Sequence, residues 1–420
     1  MRRISALKAR DATVRVPGSK SYTHRALIAA ALAEGQCRLT NPLVSQDTQL
    51  TRAALEKLGA RFTPQGNDLL VRGTDGRLQA WPEPIDLVNS GTSMRLLMAV
   101  AALGQGTYVL TGSARMQARP VQALMDGLGQ LGVPCRALGR PGCPPVAITA
   151  GGLAGGNVTI DCRQSSQYLS ALLLVAPLTP AGMDIAVDGG PVSRPYIDLT
   201  LDIMSRFGIR YERKAYTAFR VPGGQSYRRE TCAIEPDVSQ ASYFWAAAAI
   251  CGTRVTVRGL GTESRQGDLG ILDLLAAMGC GVFRGPEGTT VAGGPLKAIE
   301  ADMGDLPDMV PTLAVVAAFA QGTTRISNVA HLRIKESDRI AAVATELRRM
   351  GIRVEEQPDG MAIEGGQPRG ARIECYDDHR MAMSFAVAGL MAPGTRIADE
   401  QCVAKSFPGF WEVFSALHAA

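Results

Sequence analysis

Six times along the chain, a short polar cluster precedes a run of small apolar side chains, then a turn containing glycine and a β-branched stretch. The copies are "SKSYTHRALIAAALAEGQCRLTNP" from Ser19, "NSGTSMRLLMAVAALGQGTYVLTG" from Asn89, "QSSQYLSALLLVAPLTPAGMDIAV" from Gln164, "DVSQASYFWAAAAICGTRVTVRG" from Asp237, "GDLPDMVPTLAVVAAFAQGTTRISNV" from Gly304 and "DDHRMAMSFAVAGLMAPGTRIAD" from Asp377, spaced roughly 70 residues apart. Polar caps followed by residues apolar on every face predict a helix buried nearly all round, a glycine stop and a strand. Five copies are followed by a second module, such as "TRAALEKLGARF" or "IAAVATELRRMGIRVEE". It reads as an amphipathic helix closed by glycine, a strand, a turn such as Pro64 to Asn67, and another strand. The last copy ends early, in the short helix "FWEVFSALHAA".

The predicted unit is therefore βαβαββ, repeated six times. At 420 residues the chain exceeds what one hydrophobic core serves, so the fold class is α/β with two domains of three repeats each. Their small-residue helices would lie inside and their sheets outside. Two Pro/Gly-containing stretches, "RVPGSK" near Val16 and "RVPGGQSYRRETCAIEPD" from Arg220 to Asp237, read as crossovers. The expected division is 1–18 with 235–420 for one domain and 19–234 for the other, with the active site in the cleft between them.

Composition narrows the class of function. Nine cysteines, odd in number and without a C-x-x-C pair, suit a reducing cytoplasm better than a disulfide framework. The opening "MRRISALKARDATVRVPG" lacks an apolar signal core and no later run is long enough to span a bilayer, so a soluble cytoplasmic protein without a membrane partner is expected. A net charge of +5 without basic stripes, and aromatics at 5%, argue against nucleic acid. His24, His331, His379 and His418 form no H-E-x-x-H or i, i+4 pair, so no metal site and no cofactor are expected. "GSKS" lacks the glycine and G-K adjacency of a phosphate-binding P-loop.

The polar clusters carry the candidate chemistry. If the buried helices of a domain run parallel, their unpaired N–H groups and positive dipole ends meet on one surface, which attracts anions. Ser, Asn and Asp there are also ordinary caps, and "DVSQ" is read as a cap. Capping does not account for Lys20 and Arg25 beside a buried helix, nor for His379 and Arg380 of "DDHR".

"PGSKSYTHRALIAAALAEG", "NSGTSMR", "RMQARP", "SSQYLSALLL", "SRPYIDLTL", "LPDMVPTLA", "IKESDRI", "DDHRMAMSFA" and "AKSFPGFWEVF" resemble, in order, the successive motifs of the 5-enolpyruvylshikimate-3-phosphate synthases, from Pro17 to Phe414. The resemblance implies two inverted α/β domains, each three βαβαββ repeats around buried parallel helices. It also implies transfer of the enolpyruvyl group of phosphoenolpyruvate to the 5-hydroxyl of shikimate 3-phosphate, with release of phosphate, on the pathway to chorismate and aromatic amino acids. A monomer is expected.

Carried over motif by motif, the resemblance implies that Lys20, Ser21, Arg25, Ser165, Ser166, Gln167, Ser193, Tyr196, Asp308 and Lys335 hold shikimate 3-phosphate. Phosphoenolpyruvate would be held by Lys20, Gly91, Arg119, Gln167, Arg339, Arg380 and Lys405. Asp308 and Glu336 would act as acid and base, assisted by Lys20 and Lys405. Two departures stand out: His331 where many members carry Asn, and Ser90 and Leu96 for alanine and proline. Gly91 is retained, and the resemblance thereby implies sensitivity to glyphosate. The competing readings are an enolpyruvyl transferase acting on a UDP-amino sugar, whose loop cysteine is missing before "ARP", one acting on another cyclic hydroxy acid, an RNA-binding protein of related repeats, and an inactive anion-binding regulator.

Overall fold

The computed structural model describes residues 1–6 and 11–418. Part of the opening segment, 7–10, and the last two residues of the expected terminal helix lie outside the described residues. The chain divides into two compact units, Lys20–Ile234 and Met1–Ser19 with Glu235–Ala420.

In the unit formed by Lys20–Ile234, helix α1 (Lys20–Leu32) is buried from Tyr22 onward, as its small side chains allow. Helix α2 (Gln46–Lys57) is amphipathic and opens with a capping box, Ser45 accepting from the Thr48 amide while the Thr48 hydroxyl accepts from the Ser45 amide at 3.0 Å. Helix α3 (Gly91–Ala102) is again buried, α4 (Gln122–Gln130) amphipathic, α5 (Gln167–Val175) buried and α6 (Pro195–Arg206) amphipathic. The amphipathic helices close on Gly59, Gly132 and Gly208, at φ of 109°, 80° and 84°, a backbone region costly for residues with a Cβ. Leu172 and Leu173 of α5 have no exposure; truncating either to Ala costs about 2–5 kcal/mol.

The four-stranded sheets share one spatial order, and in three of them the chain follows it directly. The strand before a buried helix pairs parallel with the strand after it, and the next two form an antiparallel hairpin added on the far side of that second strand. Gly156–Asp161, Met183–Asp188, Ala218–Val221 and Glu212–Lys214 lie in that spatial order, as do Ile85–Asp86, Gln105–Thr111, Val146–Gly151 and Cys135–Ala137. In the remaining sheet of this unit the parallel edge strand is Thr231–Ala233, from the end of the unit, against Gln36–Thr40. Its hairpin continues through Pro64 to Gln65, so the turn falls at Gly66 and Asn67, later than the sequence suggested.

The other unit repeats the plan with α7 (Val238–Cys251), α9 (Val310–Ala317) and α11 (His379–Gly389) buried. Helices α8 (Gly270–Ala277), α10 (Arg339–Arg349) and the short α12 (Phe410–Ser415) pack outside them. Here Ala12–Val14 supplies the parallel edge strand against Arg254–Arg258. The first strand of each unit thus comes from the far end of the sequence, and the two connections are tied by Ser19 N donating to Glu235 O at 2.8 Å and Asp237 N to Pro17 O at 2.9 Å. The truncated sixth repeat is completed by Arg2–Arg3, antiparallel to Arg396–Ile397. Ser242, Thr312 and Ser384, each within two turns of its helix start, form a buried hydroxyl chain at 3.4 and 3.3 Å. The three buried helices therefore run parallel with their N-termini level.

Candidate active site

Around the starts of α1, α3, α5 and α6, several hydrogen-bonded groups hold most of the residues the sequence singled out in this unit. Arg25, 1% exposed, donates from Nε to Thr200 Oγ1 at 2.7 Å, from Nη1 to the Ser21 carbonyl at 2.9 Å, and from Nη2 to the Tyr196 carbonyl at 3.0 Å and Ser170 Oγ at 3.4 Å. Burial lowers its pKa to about 10, opposed by Tyr196 and Tyr22, so it stays charged at neutral pH. Most of its donors are engaged by protein, which ties Ser21 of α1 to Tyr196 of α6. Ser166 Oγ donates to the Ser193 carbonyl at 3.2 Å, and Ser193 sits at φ 55°, a conformation rare for a serine. Gln167 donates from its main-chain N–H to Ser165 Oγ at 3.2 Å and from Nε2 to Thr92 Oγ1 at 3.0 Å.

Lys20 and Arg119 add two cations to the same region. Lys20 Nζ lies 3.2 Å from Asp47 Oδ2, at the beginning of α2. The Asp47 carbonyl accepts from Ser93 Oγ at 3.4 Å, and Ser93 joins Ser90 and Thr51 through 2.7 Å contacts. Arg119, 3% exposed, reaches the Asn89 carbonyl and Oδ1 at 3.3 and 3.4 Å. Between these groups lies Gly91. A Cβ there would meet Arg119 Nη2 at 2.5 Å and Arg95 Nη1 at 2.7 Å, so only glycine lets both guanidinium groups approach.

In the other unit, Arg339 (1% exposed) is surrounded by three carboxylates: Asp378 at 2.8 Å from Nε, Asp308 at 2.9 Å from Nη1 and Glu336 at 3.0 Å from Nη2. Arg380 closes the group, donating from Nη2 to Asp308 at 2.6 Å and from Nη1 to the Tyr243 hydroxyl at 3.4 Å. Burial would raise the pKa of Asp308, but Arg380, Arg339 and Lys335 together outweigh it and hold the carboxyl well below the usual range. Asp308 is therefore ionised at neutral pH. Arg339 itself is raised above its ordinary value, Asp378, Glu336 and Asp308 overcoming burial. His331 is pushed down to about 3 by burial and by Lys335, so its imidazole is neutral. Lys335 follows the 3-10 turn Ala330–Ile334; Lys405 ends the turn Gln401–Lys405, which packs against α11 and leaves the lysine 7% exposed. "DVSQ" is a cap: the Asp237 side chain accepts from Gln240 N at 3.1 Å.

Four contributors were not named among the expected site residues. Arg95 links Gly91 O at 3.3 Å, Gln167 Oε1 at 3.2 Å and Pro120 O at 3.3 Å. Asp47 and Thr200 anchor Lys20 and Arg25. Asp378 both caps α11 and holds Arg339. Arg95 was visible as the cation of "NSGTSMR", and Asp378 as part of "DDHR". Asp47 and Thr200 gave no signal, since their partners are distant in sequence. Among the described residues no group of three or more His, Cys, Asp or Glu side chains is placed to hold a metal ion, and no helix is long and apolar enough to cross a membrane.

Six such repeats in two units, with cationic clusters at the starts of both sets of buried helices, are the architecture of the enolpyruvyl transferases. A family model described as EPSP synthase (3-phosphoshikimate 1-carboxyvinyltransferase) matches residues 4–414. The 3-phosphoshikimate 1-carboxyvinyltransferase of Methanoculleus marisnigri is 47% identical over 412 residues, covering 98% of this chain and 97% of that protein. That of Syntrophobacter fumaroxidans is 45% identical over 419 residues, covering 99% and 98%. Among solved structures, a 2.37 Å structure of EPSP synthase from Acinetobacter baumannii superposes with a TM-score of 0.82 at 30% identity, covering 99% of this chain and 97% of the other. The chain belongs to the EPSP synthase family.

Proposed function

We infer that this chain transfers the 1-carboxyvinyl group of phosphoenolpyruvate to the 5-hydroxyl of shikimate 3-phosphate, releasing inorganic phosphate. The observation that carries this reading is the family match over nearly the whole chain, at 47% identity to a curated relative. Both substrates are multiply charged anions, which accords with the arginines and lysines at the helix starts. The UDP-amino-sugar, RNA-binding and inactive-regulator readings lack such support.

Residue roles follow the family resemblance, and the chemistry of each side chain accords with them. Ser21, Ser165, Ser166, Ser193 and Tyr196 offer hydroxyl and amide groups for the ring and phosphate of shikimate 3-phosphate, with Lys335 as a cation and Arg25 fixing Ser21 and Tyr196 in place. Arg119, Arg339, Arg380, Lys20 and Lys405 carry the charge that phosphoenolpyruvate requires, and Gln167 serves both substrates. In the first step the 5-hydroxyl oxygen bonds to C2 of phosphoenolpyruvate while C3 gains a proton and the hydroxyl loses one. In the second the C2–O bond to phosphate breaks and a methyl proton leaves, restoring the vinyl group.

Ionised Asp308 can accept the hydroxyl proton, although the arginines that hold its pKa down weaken it as a base, and Glu336 would work the C3 proton with Lys20 and Lys405. The arginines stabilise charge moving onto the departing phosphate. Phosphate release assayed with phosphoenolpyruvate and either shikimate 3-phosphate or UDP-N-acetylglucosamine tests the reading. Release only with the former is expected; release only with the latter overturns it.

A further inference from the structure

Arg380 and Asp378 stand directly after a segment held in an unusual conformation, and the group that holds it lies on a different helix. Tyr376 and Asp377 adopt φ of 56° and 53°, consecutive left-handed residues that each carry a Cβ. Three ties from α10 reach alternate residues of the chain leading into them. Arg349 Nη1 donates to the Arg372 carbonyl at 3.1 Å, the Glu374 amide donates to Glu346 Oε2 at 3.2 Å, and the Tyr376 hydroxyl donates to Glu346 Oε1 at 2.7 Å. Glu346 is fully buried and also accepts from Arg349 Nη1 at 2.8 and 3.0 Å. The first two ties take main-chain groups at and just after the strand Arg372–Ile373, and the third takes the Tyr376 side chain in the turn that follows. The Tyr376 phenol, raised to about 12 by burial and by Glu346, keeps its proton and donates.

We propose that Glu346 is a positioning residue for Arg380, acting through Tyr376 to hold the left-handed pair that delivers Asp378 and Arg380 to the start of α11. Glu346 is a buried carboxylate on the opposite end of α10 from Arg339, and packing alone does not call for an acid there. Its two oxygens span a main-chain amide and a phenol on either side of the residue where the chain leaves its extended path. Releasing the phenol frees the turn to relax toward ordinary backbone values, which moves Arg380 away from Asp308 and Tyr243.

The proposal rests on the reading of Arg380 as a phosphoenolpyruvate-binding group, and the test separates the two. Steady-state constants for both substrates are measured for the wild type, Tyr376→Phe, Arg380→Lys and the double variant, with melting temperatures alongside. Tyr376 is 42% exposed and the change removes one oxygen, so the variant folds. Loss of a charge-assisted hydrogen bond should raise KM for phosphoenolpyruvate roughly three- to ten-fold, with kcat and KM for shikimate 3-phosphate nearly unchanged. In the double variant the effects should be less than additive, because both act on the same guanidinium. Glu346→Gln, whose side-chain carbonyl can still accept from the phenol, should raise KM for phosphoenolpyruvate less than Tyr376→Phe does. Full additivity, or an unchanged KM in Tyr376→Phe while Arg380→Lys raises it, overturns the positioning role. An unchanged KM in Arg380→Lys overturns the site reading and the proposal with it.

Discussion

Asp308 accepts a hydrogen bond from Arg380 at 2.6 Å, joining the segment before α9 to the first turn of α11. With Arg339 on its second oxygen at 2.9 Å, the carboxylate is clamped between two guanidinium groups at the start of two buried helices while keeping 20% side-chain exposure.

Asp308→Asn keeps the shape and removes the charge. Turnover should fall by roughly two orders of magnitude or more, as for loss of a general base. Stability at neutral pH should drop by about 3 kcal/mol, the order expected when one member of a buried ion cluster is removed. Because the folded pKa is depressed, the wild-type contribution is complete above the ordinary carboxylate value and is lost as pH falls below about 4. Denaturation curves of both proteins should therefore converge in acid; a gap that persists there contradicts the assignment.

Gly91→Ala places a methyl 2.5 Å from Arg119 Nη2. Both Arg119 and Arg95 must shift, so KM for phosphoenolpyruvate and the inhibitory concentration of glyphosate should rise on the order of ten-fold. KM for shikimate 3-phosphate should change little, and the melting temperature should hold, since alanine favours a helix over glycine. Kinetics identical to wild type would show that this glycine does not set the spacing of the two arginines.

Burial and Lys335 push the His331 pKa down to about 3, so folding disfavours its proton. A group with a lowered folded pKa contributes stability above its unfolded value, near 6.5, and loses it as pH falls toward 3. His331→Asn should remove this loss, flattening the acid side of the stability profile by up to about 1.4 kcal/mol per pH unit. Parallel profiles for the two proteins between pH 6 and 4 would place the acid sensitivity elsewhere.

Lys20→Ala should lower kcat/KM by at least about a hundred-fold while leaving the melting temperature within a few degrees, since the Lys20–Asp47 pair is one of many contacts at this end of α1. Comparable losses of stability and activity would instead make the lysine a structural residue.

Much of this was readable in the chain because its signals are local. Polar caps, all-round apolar helices and a glycine at each amphipathic helix end recur together, and the helices fall where the repeats put them. Strand exchange was not readable in detail: Ala12–Val14 and Thr231–Ala233 find partners across the length of the sequence, and Arg2–Arg3 completes the last sheet through a pairing of two residues. At the site, motif residues were legible one by one, but their wiring was not. Arg25 looked like a ligand-binding cation, and the structure engages most of its donors with Thr200, Ser170 and two carbonyls. Asp47 carried no local mark because its chemistry begins only where folding brings Lys20 beside it.

The proposed reaction adds the shikimate hydroxyl to phosphoenolpyruvate and then eliminates phosphate, and one experiment reads both halves. The purified protein is incubated with phosphoenolpyruvate and shikimate 3-phosphate in D2O, with phosphate release followed and the enol-ether product examined by mass spectrometry. Protonation at C3 makes a methyl group whose later deprotonation leaves label behind, so deuterium is predicted in the vinyl methylene, with phosphate and product in equal amounts. Product formed without deuterium, or phosphate released without shikimate 3-phosphate, would contradict it.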